Sequence, residues 1–165
     1  MDELWTPWRM QYIVGSKETS GCIFCPDADG ERVDDLLLHR GRSVFTVLNL
    51  YPYVTGHLMI VPYRHVPRFA ALSADEREEL GAALQRAEAI LRRASGARWF
   101  HAGINLGRAA GAGVDGHLHV HLVPGGTTGD WADAPGSESP ALPVDEVRRR
   151  LLPHFQPAMT ELSSR

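Results

Sequence analysis

Six residues, HLHVHL from His117 to Leu122, alternate polar and apolar side chains without a break, and Val123 follows. In an extended strand, successive side chains point to opposite faces. His117, His119 and His121 therefore share one face, and Leu118, Val120 and Leu122 share the other. The pattern predicts a strand over 117–123 with its apolar face on a core. At a rise of ~3.3 Å per residue, neighbouring histidines stand roughly 6.6 Å apart and the outer two about 13 Å apart. One metal ion can take two adjacent members of the row, but not all three. At least one imidazole is left for other work.

The surrounding pattern sets the fold class. Leu36–His39 and Ser43–Leu48 read as strands joined by a tight turn at Gly41, and His57–Pro62 as another. Ser73 and Glu76 have capping-box spacing. After them Leu80, Ala83, Leu84, Ala87, Ile90, Leu91 and Ala94 recur at helical intervals, and Gly96 stands where a helix takes a left-handed residue. Arg98–Asn105 reads as a strand, LGRAAGAGVDG as a glycine-rich loop, and Gly125–Pro140 as loop. Val144–Leu152 reads as a short helix that ends before Pro153. Leu4–Val14, with two tryptophans and a tyrosine, reads as an anchored arm or short helix. Strands, one long helix, then more strands predict an α+β fold with a largely antiparallel sheet.

The chain has 165 residues, the size of one ordinary domain, and 44% apolar residues to build its core. A formal charge of −3 gives no electrostatic grip on nucleic acid or anionic lipid, so neither is an expected partner. Apolar runs such as Leu58–Val61 are too short to span a bilayer. MDELWTPWRM lacks the cationic-then-apolar order of a secretory signal, so a cytoplasmic protein is expected. Cys22 and Cys25 stand in CIFC. In a reducing compartment such a pair favours a metal or redox element over a structural disulfide.

Three readings of the histidine row compete. One is a solvated histidine-rich strand. A second is a metal-dependent hydrolase built on a His-x-His pair. The third is nucleophilic catalysis, with a neutral imidazole attacking phosphorus. Gly103, Asn105, Gly107, Gly111, Gly113 and Gly116 lead into the row. Glycines let backbone amides approach a phosphate closely, which favours the third reading. Acidic ligands of the HxHxDH kind are missing, which weighs against a two-metal hydrolase.

HLHVHLV resembles the signature of the histidine triad (HIT) superfamily. LWTPWRMQYI, GCIFC, VLNLYPYVTGHLMIVPYRHV and GINLGRAAGAGV, in that order, are similar to bacterial HIT proteins related to dinucleoside polyphosphate hydrolases and phosphorylases. The likeness runs from Leu4 to Pro124, about three-quarters of the chain. It implies a HIT-like fold, with about five strands, one long helix and a short C-terminal helix. It also implies a single HIT domain over 1–165, divided into an arm (1–30), a core (31–124) and a C-terminal loop and helix (125–165). His119 would attack the α-phosphate of a nucleotide and form a nucleotidyl-histidine, its ring oriented by the backbone of residue 117. His121 would bind phosphate oxygens. Asn49, Asn105, Gly111 and Gly113 match substrate-binding positions, although either asparagine equally suits a local turn.

The same resemblance implies a structural zinc held by Cys22, Cys25, His65 and His117, a nucleotide substrate accompanied by magnesium, and a homodimer contacted by Leu4–Ile13. A thioredoxin-like role for CIFC lacks its βαβ context. After the row, GGTTGDWAD departs from the Arg-Trp then Gly-Asp of the phosphorylase-like branch, with Trp131 as a shifted replacement. That departure supports an alternative, a nucleotide-binding regulatory module with weak phosphoramidase activity. His57 is a marginal candidate for the pocket. His39, His101 and His154 have no constellation around them.

Overall fold

The computed structural model describes residues 22–25, 35–110, 112–134 and 140–156. The expectations for Leu4–Val14 and for Gly111 fall outside these residues. Five strands form one sheet: β1 (Leu37–Arg40), β2 (Val44–Leu48), β3 (Leu58–Pro62), β4 (Trp99–Ile104) and β5 (Val120–Gly125). Their order is β1-β2-β3-β5-β4, and every neighbouring pair is antiparallel. Two helices, α1 (Ala74–Ser95) and α2 (Val144–Phe155), complete the α+β architecture.

The strands alternate between two apolar layers. Leu48, Leu58, Ile60, Val120 and Leu122 join Leu80, Ile90 and Leu91 of α1 and Leu151 and Phe155 of α2 in the main core. Phe45, Val47, Met59 and Val61 form a second cluster, which Phe24 joins. Ladder pairing sets Met59 opposite His121 and Ile60 opposite Val120. The histidine row therefore lies on the side of the second cluster, while Leu118, Val120 and Leu122 enter the main core, as the alternation requires.

α1 begins and ends where its sequence says. The Ser73 side chain accepts from the Glu76 amide at 3.2 Å, and the Glu76 carboxylate accepts from the Ser73 amide at 2.7 Å. Gly96 adopts φ 66°, the left-handed conformation that closes the helix. One turn after Glu76, Glu79 accepts from the amides of Arg42 and Ser43 and from the Ser43 hydroxyl, pinning the β1–β2 turn. A side chain at Gly41 would collide with that carboxylate.

Two boundaries differ from the sequence reading by three residues. β5 starts at Val120, not at His117. Continued past Ile60 and Val120, the register would set Val61 against His119 and then Pro62 against Leu118, but proline has no amide to give and its carbonyl is taken by the His117 ring. The Leu118 amide bonds instead to Val66 O at 2.6 Å. α2 runs through Pro153 to Phe155, because Phe155 is buried and its carbonyl accepts from Arg86. Trp131 is also placed otherwise than expected. It is only 5% exposed, packed in the main core beneath the Arg150 guanidinium. Among the described residues no helix is long and apolar enough to cross a membrane.

Candidate active site and metal centre

A tight turn closes Cys22–Cys25, with the Cys25 amide donating to Cys22 O at 3.0 Å, and so brings both sulfurs to one side. His117 Nδ1 lies 3.2 Å from Cys22 Sγ and 3.6 Å from Cys25 Sγ, and His65 Nδ1 lies 3.2 Å from Cys25 Sγ. The four ligand atoms all fall within 4.8 Å of one another. Two thiols and two imidazoles so gathered fit a tetrahedral site, in which each ligand would stand ~2.0–2.3 Å from the ion. His117 Nε2–H donates to Pro62 O at 2.8 Å, which leaves Nδ1 its lone pair for a metal. Burial, the largest influence, holds the His117 pKa below its ordinary value and keeps the ring in the neutral, ligating form. The sequence-expected ligand set is thus brought together as one cluster.

His119 is set the other way round. Its Nδ1–H donates to the His117 carbonyl at 2.8 Å, so Nε2 keeps the lone pair. One residue therefore serves both places, its ring in the cysteine cluster and its carbonyl on His119.

His121 takes its setting from His57. The Tyr53 amide donates to His57 Nδ1 at 3.2 Å, so the neutral ring carries its proton on Nε2. That Nε2–H donates to His121 Nδ1 at 2.9 Å, which leaves the His121 proton on Nε2. Tyr53 stacks on His57 at 4.8 Å and 13° between planes, fixing the ring that makes the bond. The rings of His119 and His121 meet edge to face, with centroids 4.9 Å apart. Adjacent imidazoles thus present opposite functions at the same atom, a lone pair on His119 Nε2 and a proton on His121 Nε2.

His57 was the residue that sequence reasoning undervalued. It is fully buried, and its part in the site comes from β3 lying beside β5, a pairing between segments 60 residues apart that periodicity does not reveal. A signal existed nevertheless. The β2–β3 hairpin sets Leu48 opposite Leu58, and Asn49 N–H then bonds to His57 O at 3.0 Å. Asn49 Oδ1 accepts from the Tyr51 amide at 3.0 Å, turning the amide nitrogen toward the His57 ring, 3.3 Å from Nδ1. Asn49 therefore does cap its own turn. The Asn105 side chain is half-buried and has no hydrogen-bond partner among the described residues. Gly113 lies in the loop that precedes the row, and Gly111 is outside the described residues.

The family model described as HIT domain matches residues 31–128. An AP-4-A phosphorylase of Mycobacterium tuberculosis is 39% identical over 132 residues, which cover 75% of this chain and 68% of that protein. An asymmetrical bis(5'-nucleosyl)-tetraphosphatase of Schizosaccharomyces pombe is 29% identical over 92 residues, covering 56% of this chain and 50% of that one. Among solved structures, a hypothetical histidine triad nucleotide-binding protein from Sulfolobus tokodaii superposes with a TM-score of 0.66 at 23% identity, covering 81% of this chain and 91% of that one.

Proposed function

The chain belongs to the HIT domain family, and on that premise we propose that it is a nucleotide hydrolase or phosphorylase acting at the α-phosphorus of a dinucleoside polyphosphate or related nucleotide conjugate, through a covalent nucleotidyl-histidine at His119. The observation that carries this reading is the opposed protonation of His119 and His121. Attack on phosphorus needs an imidazole lone pair, and a neighbouring phosphate oxygen needs a donor. His119 Nε2 supplies the first and His121 Nε2–H the second.

In this reading the His119 lone pair forms an N–P bond as the bond from phosphorus to the bridging oxygen breaks. The leaving polyphosphate departs with the bonding electrons. As positive charge develops on the His119 ring, its Nδ1–H bond to the His117 carbonyl strengthens. Water or phosphate then attacks the same phosphorus and releases His119 unchanged. Asn49 retains an Oδ1 lone pair beyond the one given to Tyr51, suited to a ribose hydroxyl. The Asn105 amide suits a second contact to the nucleotide. Backbone amides of Gly111 and Gly113 suit charge on the phosphoryl group, and magnesium would travel with the polyphosphate.

Zinc in the Cys22, Cys25, His65 and His117 cluster belongs to the same reading, with a structural role. So do a single domain over 1–165, a cytoplasmic location and a homodimer. β4 forms one end of the sheet and exposes Trp99 at 58%, an edge suited to a second copy.

One observation favours a second reading, a nucleotide-binding regulatory module with weak phosphoramidase activity. With Trp131 committed to the core, the segment after the row offers no replacement aromatic for the distal end of a long substrate. Diadenosine tetraphosphate separates the outcomes. Hydrolysis yields AMP and ATP. Phosphorolysis yields ADP and ATP, and only with inorganic phosphate present. AMP bound tightly without turnover of this substrate would favour the regulatory reading.

A further inference from the structure

The last residues of GGTTGDWAD close over the turn that leads into β3. Asp133 accepts from the Thr55 hydroxyl at 2.8 Å and from the Thr55 amide at 3.2 Å. The same carboxylate accepts from the Ala141 amide at 2.7 Å, and Thr55 Oγ1 accepts in turn from the Leu142 amide at 3.2 Å. Trp131 supports the next residue of the turn, since a β-carbon on Gly56 would stand 3.4 Å from its ring. Thr55 is 1% exposed, so its hydroxyl and amide have left water and need these acceptors. Asp133 thus joins three segments: the approach to β3, the end of the segment after the row, and the approach to α2.

The turn carries the histidine that donates to His121. Within it, the Tyr53 amide donates to His57 Nδ1 and the His57 amide to Val54 O, each at 3.2 Å, the long end of the hydrogen-bond range. Thr55 stands between the residues that these two bonds join. A hydrogen bond to a carboxylate is roughly twice as strong as one between neutral groups. Asp133 therefore adds an outside brace to a turn whose path decides where the Tyr53 amide points.

We propose that Asp133 is a positioning residue for His57, bracing the turn over 53–57 so that the Tyr53 amide meets His57 Nδ1 and the proton stays on His57 Nε2, where it faces His121. This rests on the reading of His121 Nε2–H as the donor to a substrate phosphate. On this account the segment that departs from the phosphorylase-like pattern serves the catalytic row, through one carboxylate.

The test uses full-length protein. It follows kcat and KM on diadenosine tetraphosphate, together with the imidazole nitrogen resonances of His57, which distinguish a protonated ring nitrogen from a bare one. In the parent, Nε2 should read as protonated and Nδ1 as bare. Asp133→Ala should lower kcat roughly tenfold with KM within about twofold, and should draw the two His57 nitrogen signals together as the tautomers mix. Asp133→Asn, which keeps Oδ1 for Thr55 and Ala141, should fall between Asp133→Ala and the parent in both readings. Thr55→Val should resemble Asp133→Ala, and Thr55→Ser, which keeps the hydroxyl, should resemble the parent. In a His57→Phe background, Asp133→Ala should have no further effect on kcat, because its route to the row is already gone.

Equal losses of kcat from Asp133→Ala with and without His57 would make Asp133 a general support of the fold and overturn the proposal. Unmoved His57 nitrogen signals in Asp133→Ala would do the same. So would a raised KM with kcat kept, which would place Asp133 among the contacts of the nucleotide. If Asp133→Ala does not fold, the Thr55 pair decides, and Thr55→Val as fast as Thr55→Ser refutes the idea. The His57 signals are read without substrate. They therefore decide whether Asp133 braces the turn even if His119→Ala still turns over and the nucleophile reading fails.

Discussion

A neutral imidazole has two nitrogens and one proton to divide between them, so a partner on either nitrogen decides what the other can do. His117 gives its Nε2 proton to Pro62 O and turns Nδ1 to the sulfurs. His119 gives its Nδ1 proton to the His117 carbonyl. His121 accepts at Nδ1 from His57 and so keeps a proton on Nε2. Replacing His57 with Phe, which preserves bulk and removes the donor, is predicted to lower kcat by about ten- to a hundredfold, the usual cost of losing a partner that orients an active-site ring. Zinc content should be unchanged, and unaltered kcat would show that the His121 tautomer is set elsewhere. Alternation was enough to place the three histidines on one face, and the likeness to known proteins supplied the roles proposed for them. Which neighbour sets each tautomer was not legible. Pro62, Tyr53 and His57 reach the row only through the adjacency of β3 and β5.

Local rules made α1 readable at both ends, because each end is decided within a few residues. Ser73→Ala removes the cap and should destabilise the protein by about 1 kcal/mol in denaturant titration. Glu76 joins that cap to Arg64, whose side chain reaches it at 2.6 Å. The Arg64 guanidinium first, then the Ser73 amide, hold its pKa at about 2, below the ordinary 4.5. A carboxylate depressed in the folded state stabilises fully above the unfolded value and loses that stability as pH falls through the folded one. The contribution of Glu76 should therefore be whole above pH 4.5 and fade toward about pH 2. Urea midpoints across that window should fall in the parent and fall less in Glu76→Gln. The starts and stops that escaped sequence reading depend on distant partners. β5 is cut short by Pro62 of another strand, and α2 passes Pro153 because the core holds Phe155.

At the scale of the molecule, the cysteine cluster ties residues 22–25 to the segment after β3 and to the approach to β5, which are far apart in the chain. A metal held by these four residues would join those segments, so its removal should cost stability as well as activity. Chelation, or Cys22→Ser, is predicted to lower Tm and kcat together. A protein that lost activity on chelation at unchanged Tm, and regained it with added metal, would instead be using a labile catalytic ion. Conversion of His119 to Ala is predicted to reduce turnover by on the order of 10⁴-fold or more while nucleotide binding survives. The most direct test of the account is chemical capture of the intermediate. Enzyme mixed with diadenosine tetraphosphate labelled in its adenosine, then quenched in alkali within one turnover, should carry one labelled adenylyl group on the peptide containing His119, as an acid-labile phosphoramidate. Rapid turnover with no adduct on that peptide, or an adduct that persists in His119→Ala, would contradict it.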